Sequence, residues 1–477
     1  MAKTKKYYLL GIGGIAMVNL AGLLKEKGHI VSGSDLGVFG PSALILKNLK
    51  IPYFNSYKAS NVKSYKPDAV VIGNAISRGN EELEWVLESG TVYKSMPETI
   101  REELVQGRTS TRLSSKKAIV VTGTSGKTTT AALISWILHR NKLAPTALVG
   151  GIIKNLDAGF LYGKGDYIVL EGDEYNSSFY DSCPKFLHYQ PYIGIVNNIE
   201  QDHVDIYPTV DDIIKAFRKF IKLIPRNGRL ILNKENANAF GLKPFAQSEI
   251  DTFGKNGNLS AKNIKYDENG ISFEVYAEKK TLGRVSSPLL GRHNAENILA
   301  ATLACLRVGL TFAQIAKALE KFHGVKRRLE IIHQNSKMKI IDDFAHNPEK
   351  VAASLSALKM HFPKSRLIAI FEPRTASSRR KVFQSKYPDS FKPADTVYIA
   401  EPFKKELISA QEVFSSNKLA EDLKKRGVEA HALKGADEII THLSTAIKQK
   451  NNKHTIISVM TSGEFDNIHQ KLIKSLN

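Results

Sequence analysis

Residues 118–130, Ala-Ile-Val-Val-Thr-Gly-Thr-Ser-Gly-Lys-Thr-Thr-Thr, constrain this chain more than any other stretch. The β-branched run from Ile119 to Val121 breaks at Gly123 and reopens as a helix predicted from Thr128 to Arg140, so a glycine turn sits where a strand feeds a helix N-terminus. That arrangement makes a phosphate cradle. Gly123 and Gly126 let the backbone turn its N–H groups inward, and the helix dipole adds partial positive charge. Lys127 reaches terminal phosphates and Thr128 offers its hydroxyl to Mg2+. The position five before Gly126 is Val121, not the glycine of the full Walker pattern. The plain alternative is a glycine-rich turn without a ligand; Lys-Thr directly behind a glycine and an apolar strand favours phosphate binding.

A chain of 477 residues suggests two to four domains, and 42% hydrophobic with 24% charged residues is ordinary for a soluble globular protein. The formal net charge of +21 points to polyanionic substrates. Its lysines are spread along the whole chain without a dense basic run, so nucleic acid is not expected as a partner. Cys183 and Cys305 form no disulfide framework and lack metal-ligand spacing, which fits a reducing cytoplasmic setting with both in packing roles. The apolar run from Tyr7 to Leu24 is interrupted by Gly11, Gly13, Gly14 and Asn19 and reads as strand, turn and helix. No segment has the roughly 20 uninterrupted apolar residues that a membrane span requires.

Taken in order, a first strand near Tyr7 leads through Gly11, Gly13 and Gly14 into a helix from Ala16 to Lys27, and a second strand ends at Ser34 and Asp35. A Rossmann-like unit places a carboxylate beside a ribose in this way. A third strand within 68–75 ends at Asn74, read either as a ligand loop or as the approach to a helix capped by Ser77 or Asn80. Residues 107–117 are polar and aperiodic, an interdomain linker. Two later strands end in Glu171-Gly-Asp-Glu174 and in a segment running from Asn197 to Asp205 with His203. Acids at two strand tips plus one imidazole, near a phosphate loop, suit Mg2+. Solvated loop charges are the alternative. Beyond 324, strands at 340–344, 366–371, 395–400 and 454–460 alternate with helices as doubly wound α/β units do. Glu372, Arg374, Arg379 and Arg380 follow one of those strands and are candidates for gripping carboxylates, with a solvated basic loop as the alternative.

Several motifs recur here in one order: the glycine-rich start ending in Gly-Ser-Asp35, Thr122-Gly-Thr-Ser-Gly-Lys-Thr-Thr129, Glu171-Gly-Asp-Glu174, Asn198 with Asp202-His203, Gly291-Arg-His-Asn-Ala-Glu-Asn297, Arg328-Leu-Glu330 and Asp343-Phe-Ala-His-Asn-Pro348. In that order they resemble the Mur ligases of bacterial peptidoglycan synthesis, over nearly the whole chain. The resemblance implies an α/β chain of three domains: a Rossmann-like UDP-sugar domain (1–108), a central P-loop ATPase-like domain (117–324) and a C-terminal Rossmann-like domain for the incoming amine (325–477). Such enzymes phosphorylate a carboxylate with ATP and let an amine attack the acyl phosphate. Two branches share the glycine-rich start, and both act on UDP-N-acetylmuramate. One adds L-alanine; the other adds a whole L-alanyl-γ-D-glutamyl-meso-diaminopimelate tripeptide in recycling. The stretches 185–191, 371–375 and 459–469 look more like the tripeptide branch.

Carried over by motif, Gly123, Thr124, Ser125, Gly126, Lys127, Thr128, Thr129, Asn294, Arg328 and Asp343 would hold ATP, with Asn294 at adenine and Asp343 at the ribose. Thr128, Glu171 and His203 would bind metal. Gly11, Gly13, Gly14, Ile15, Ala16, Ser34, Asp35 and Asn74 would hold the UDP-sugar, Glu372 and Arg374 the amine substrate, and His346 would lie near the phosphates or the amine. Read without the family, Gly291-Arg-His-Asn is a turn and helix cap with His293 packed inside. The implied partners are UDP-N-acetylmuramate and a peptide or amino acid, met in the cytoplasm by a monomer or weak homo-oligomer. Three departures stand out. Gly172 replaces a common alanine, Arg218 stands where many relatives carry a carbamylated lysine, and Asn347 stands where tripeptide ligases usually have histidine. A non-catalytic nucleotide-sugar sensor and a P-loop nucleic-acid ATPase are the readings from other classes.

Overall fold

A computed structural model describes residues 4–106, 116–203, 206–449 and 454–476, so most of the linker expected at 107–117 lies outside the described residues. The chain forms two compact units. One comprises Met1–Asn263, Glu274–Val285 and Glu296–His323; the other comprises Ile264–Phe273, Ser286–Ala295 and Gly324–Asn477.

The first unit opens with strands β1 (Lys6–Leu10), β2 (Ile30–Ser34), β3 (Tyr53–Phe54), β4 (Ala69–Ile72) and β5 (Tyr93–Ser95), in the parallel order β3-β2-β1-β4-β5. The helix Ile15–Glu26 starts one residue before its expected position, after Gly14, which has no side chain to cap it. Asn80 accepts from Glu82 N and Leu83 N and caps the helix Glu81–Glu88, while Asn74 lies exposed in the preceding turn. The capping expected at Asn80 and an open loop at Asn74 therefore coexist.

A second sheet follows from β6 (Lys117–Thr122), β7 (Thr146–Ile153), β8 (Ala158–Leu161), β9 (Tyr167–Glu171), β10 (Pro191–Val196), β11 (Arg229–Asn233) and β12 (Glu249–Phe253). Their order is β12-β11-β10-β6-β9-β7-β8, all parallel except the β7–β8 hairpin. β6 is central and buried from Ala118 onward, which explains its continuous apolar run. Ile119, Val120 and Val121 are at 0% exposure, and each buried aliphatic of this kind contributes roughly 1.5–3 kcal/mol. The helix Ile15–Glu26 packs on β7 and β8, with Gly22 under the Phe160 ring. Cys305 is buried as expected, but Cys183 is exposed, so packing accounts for only one of the two cysteines.

Strands β13 (Leu259–Asp267), β14 (Gly270–Ala277) and β15 (Lys280–Ser287) contribute residues to both units, as does the helix Arg292–Arg307. The second unit is built on β16 (Glu330–Gln334), β17 (Met338–Asp343), β18 (Arg366–Phe371), β19 (Thr396–Ala400), β20 (Glu429–Leu433) and β21 (Thr455–Met460), in the order β16-β17-β21-β18-β19-β20. Only β16 runs antiparallel. Two apolar clusters cover the two faces of this sheet, as a doubly wound fold requires.

Candidate active site

Three hydrogen bonds to β10 and the residues just after it fix the phosphate turn. Thr122 Oγ1 donates to Ile195 O at 2.7 Å, Thr124 N to Asn198 O at 3.0 Å, and Ser125 N to Asn198 Oδ1 at 2.7 Å. Gly126 sits at φ +81°, and a Cβ there would meet Asn297 Oδ1 at 2.4 Å, so both conformation and space demand glycine. The helix Lys127–Arg140 follows with no side-chain cap and no acid in its first turn, leaving its N–H groups as an anion site.

Charge gathers beside this turn. Lys127 Nζ donates to Glu174 Oε2 at 2.7 Å, to Glu174 Oε1 at 3.0 Å and to Gly123 O at 2.8 Å. Burial works to lower the Lys127 ammonium, but Glu174 and Asp173 more than offset it and its pKa is raised. Asp173, 2.5 Å from Lys185 Nζ, goes the opposite way: desolvation raises it, yet Lys185 and Lys127 hold it well below the usual carboxylate range. His203 Nε2 lies 3.3 Å from Glu174 Oε1, and against the pull of burial that carboxylate raises the imidazole above its ordinary value. His203 has φ +50°, a strained position for histidine, and its ring meets Tyr175 edge-on at 5.0 Å.

Ligand atoms of Asp173, Glu174 and His203 all lie within 4.8 Å of one another, a donor set of two carboxylates and an imidazole that fits a divalent cation. Of the expected metal ligands, Thr128 and Glu171 meet at 2.8 Å, whereas His203 is grouped with Asp173 and Glu174. Asp173 and Glu174 belong to the acid-tipped strand end that the sequence marks for Mg2+, although the motif carry-over took only Glu171 from it. The signal was present, since they follow Glu171 at the end of β9, but sequence alone does not say which acid of a tandem turns toward the lysine. A Cβ on Gly172 would meet Thr122 Cγ2 at 2.7 Å and Val120 Cγ1 at 2.8 Å, which explains glycine at that departure. At Arg218 the guanidinium stacks over the Phe245 ring at 4.1 Å.

The first glycine turn is organised differently. Gly11 N and Ile12 N donate to Ser34 O, and Gly13 N donates to Asp35 Oδ2 at 2.9 Å. Ser34 Oγ in turn donates to the buried Glu82, whose carboxyl burial pushes up. Asp35 therefore braces the turn. Ile15 and Ala16 open the helix behind it.

The remaining expected residues belong to the second unit. Asn294 is buried and donates to Leu290 O at 2.7 Å; Gly291, at φ +93°, donates to His361 Nε2 at 2.8 Å. Burial, with Arg328 and His361 nearby, lowers His293 to about 4. Asp343 accepts from Ser354 Oγ and from Leu329 N, and burial raises its carboxyl although Arg328 opposes this. Arg328 lies over the Phe344 ring at 5.2 Å. The Nδ1–H of His346 donates to Phe344 O at 2.9 Å, which assigns its tautomer. Asn347 accepts from Lys350 N and caps the helix Pro348–His361, a role that needs asparagine rather than histidine. Glu372 accepts from Thr461 Oγ1 and from Arg374 Nη1 at 3.2 Å, and the Arg374 guanidinium stacks 3.8 Å over Phe403.

Three domain families match the chain in sequence: "Mur ligase family, catalytic domain" over residues 6–108, "Mur ligase middle domain" over 121–305 and "Mur ligase, glutamate ligase domain" over 327–463. A UDP-N-acetylmuramate–L-alanyl-gamma-D-glutamyl-meso-2,6-diaminoheptandioate ligase of Escherichia coli (strain K12) is 32% identical over 477 residues, covering 99% of this chain and 98% of the relative. The chain belongs to the Mur ligase family. It is accordingly an ATP-dependent ligase with the family's three-domain architecture. A UDP-N-acetylmuramate–L-alanine ligase of Endomicrobium trichonymphae is 38% identical over 399 residues, 83% of this chain and 84% of the relative. A murein peptide ligase from Psychrobacter arcticus, solved as a crystal structure, superposes with a TM-score of 0.72 at 28% identity, over 99% of this chain and 98% of its own. No described helix is long and apolar enough to cross a membrane.

Proposed function

We propose that this Mur ligase joins the carboxylate of UDP-N-acetylmuramate to the amine of L-alanyl-γ-D-glutamyl-meso-diaminopimelate, in peptidoglycan recycling in the cytoplasm. The observation that carries the proposal is the end-to-end match, 99% of this chain, to a relative named for that reaction. Its domains are drawn at 1–108, 117–324 and 325–477, and the protein acts as a monomer or weak homo-oligomer.

A carboxylate at neutral pH is a poor electrophile, and phosphorylation gives it a leaving group. In this reading residues 123–129 cradle the ATP phosphates, and Lys127 exchanges its contacts with Glu174 for phosphate oxygens as the charge on the transferred phosphoryl group shifts. Thr128, Glu171, Asp173, Glu174 and His203 supply the oxygen and imidazole donors for Mg2+. When bound, the metal neutralises phosphate charge. Asn294, Arg328 and Asp343 take the rest of the nucleotide; Gly11, Gly13, Gly14, Ile15, Ala16, Ser34, Asp35 and Asn74 take the UDP-sugar; Glu372 and Arg374 take the peptide; and His346 stands by the phosphates or the amine.

The 38% identity to an L-alanine ligase favours a second reading in which L-alanine is the nucleophile. Purified protein with ATP, Mg2+, UDP-N-acetylmuramate and either amine, followed by mass analysis, separates the two. Tripeptide adduct is expected; L-alanine adduct alone transfers the assignment to the second reading, and no ADP release with either amine removes both.

A further inference from the structure

Asn19 lies at 0% exposure in the helix Ile15–Glu26 that begins at the first glycine turn. Its Nδ2 donates to Val149 O in β7 at 3.0 Å, while its Oδ1 has no hydrogen-bond partner among the described residues. The acceptor fixes the amide's orientation, because turning it over would set one carbonyl oxygen against another. A buried carbonyl left unpaired is costly, so the single bond that Asn19 does make invites an explanation.

The explanation lies on the far side of the same peptide group. Val149 C=O and Gly150 N–H share one rigid plane. Gly150 N donates to Glu171 Oε2 at 2.6 Å, and Thr128 Oγ1 donates to Glu171 Oε1 at 2.8 Å. A donor pulling on the carbonyl polarises the N–H opposite it and strengthens its bond to a carboxylate. The relay needs close approach, and glycines permit it. A Cβ on Gly150 would stand 2.8 Å from Glu171 Oε2, one on Gly159 would stand 2.1 Å from Asn19 Nδ2, and one on Gly22 would stand 2.3 Å from Phe160 Cζ.

We propose that Asn19 is a positioning residue for metal-nucleotide binding: by fixing the Val149–Gly150 peptide it sets the Glu171 carboxylate and, through it, the Thr128 hydroxyl. The proposal rests on the reading of Glu171 and Thr128 as groups that hold the metal and nucleotide. It links the helix behind one glycine turn to the carboxylate beside the other.

The test uses the full chain with Asn19→Ala, Glu171→Gln and the two combined, reading Mg2+-dependent ADP binding and UDP-N-acetylmuramate binding by calorimetry, together with thermal unfolding. Asn19→Ala is expected to weaken ADP binding about 10-fold, the loss typical of removing a group that orients a metal ligand. UDP-N-acetylmuramate binding stays within about 2-fold, and the unfolding midpoint falls only modestly, because Val149 O loses its donor while the unpaired Asn19 carbonyl is removed. In the Glu171→Gln background the Asn19 substitution adds less than about 2-fold, as groups acting in series do. Asn19→Leu, which fills the space without polar atoms, takes the alanine variant's place if that one does not fold. Wild-type ADP binding after Asn19→Ala beside weakened binding after Glu171→Gln overturns the proposal, as do penalties that multiply in the double variant or an equal loss of both ligands. Undiminished ADP binding after Glu171→Gln overturns the reading of Glu171 itself, and the proposal with it.

Discussion

In the first unit Asp173 stays below the usual carboxylate range against the pull of desolvation because Lys185 and Lys127 stand beside it, whereas in the second unit burial lifts Asp343 and Glu372 above theirs. Histidines divide the same way: His203 is raised beside Glu174, while His293 is driven down to about 4 by burial. Around the phosphate turn neighbouring charges outweigh burial at Lys127, Asp173 and His203, whereas at Asp343, Glu372 and His293 burial outweighs the neighbours and shifts each group toward its neutral form. Phosphoryl chemistry needs ionised groups preorganised around a developing charge, which the first arrangement supplies. Buried groups held by hydrogen bonds, as Asp343 is by Ser354 Oγ and Leu329 N, suit a ribose or base.

Lys127→Met attacks the paired side of this contrast hardest. Ligation is expected to fall about 10³-fold, and stability by about 3 kcal/mol, because Glu174 loses a buried partner. Measured turnover within a few-fold of wild type would break the contrast. Next in size is acid sensitivity in the second unit. The unfolded chain protonates His293 near its ordinary value of 6.5, but the folded chain resists until about 4, so this group costs up to about 3 kcal/mol of stability as pH falls through that window. Asp343 and Glu372, with raised values, act in the opposite sense, so the effect is read as the difference between wild type and His293→Leu in denaturant titrations at pH 7 and pH 4. Equal pH dependence in the two proteins would show that His293 is not held neutral.

Asp343→Asn sharpens the comparison at smaller scale. The amide keeps an acceptor oxygen for Leu329 N and turns its N–H to Ser354 Oγ, so the replacement should cost no more than about 1 kcal/mol, well under the loss expected at Lys127. Calorimetric unfolding checks this, and a loss as large as that of Lys127→Met would mean that Asp343 works as a charge. Asn347→Ala removes a helix cap and is expected to cost about 1 kcal/mol without changing which amine is accepted. A change of amine preference would return Asn347 to the substrate site.

The cradle was legible because its physics is local: apolar residues into β6, two glycines, then Lys127 and Thr128 at a helix start. The parallel strands of the second unit were legible for the same reason, as buried runs without alternation. What escaped depends on distant neighbours. Nothing near Glu174 in sequence announces that it holds Lys127, since the partner lies 47 residues away. Gly172 looked like a small departure until Thr122 and Val120 were seen to fill the space of a Cβ. Asp35 had the spacing of a ribose ligand, yet its carboxylate is engaged with Gly13 N–H, a bond that spacing does not reveal. The edge strand β16 and the half-exposed β20 escaped because short, partly wet strands lack a continuous apolar run.

The central claim is that the first unit's turn delivers a phosphoryl group to the sugar-borne carboxylate. UDP-N-acetylmuramate labelled with 18O in that carboxylate tests it most directly, with mass analysis of the inorganic phosphate released during ligation. One labelled oxygen per phosphate is predicted, because the acyl phosphate hands its bridging oxygen to the leaving group; unlabelled phosphate alongside full product formation would contradict the account.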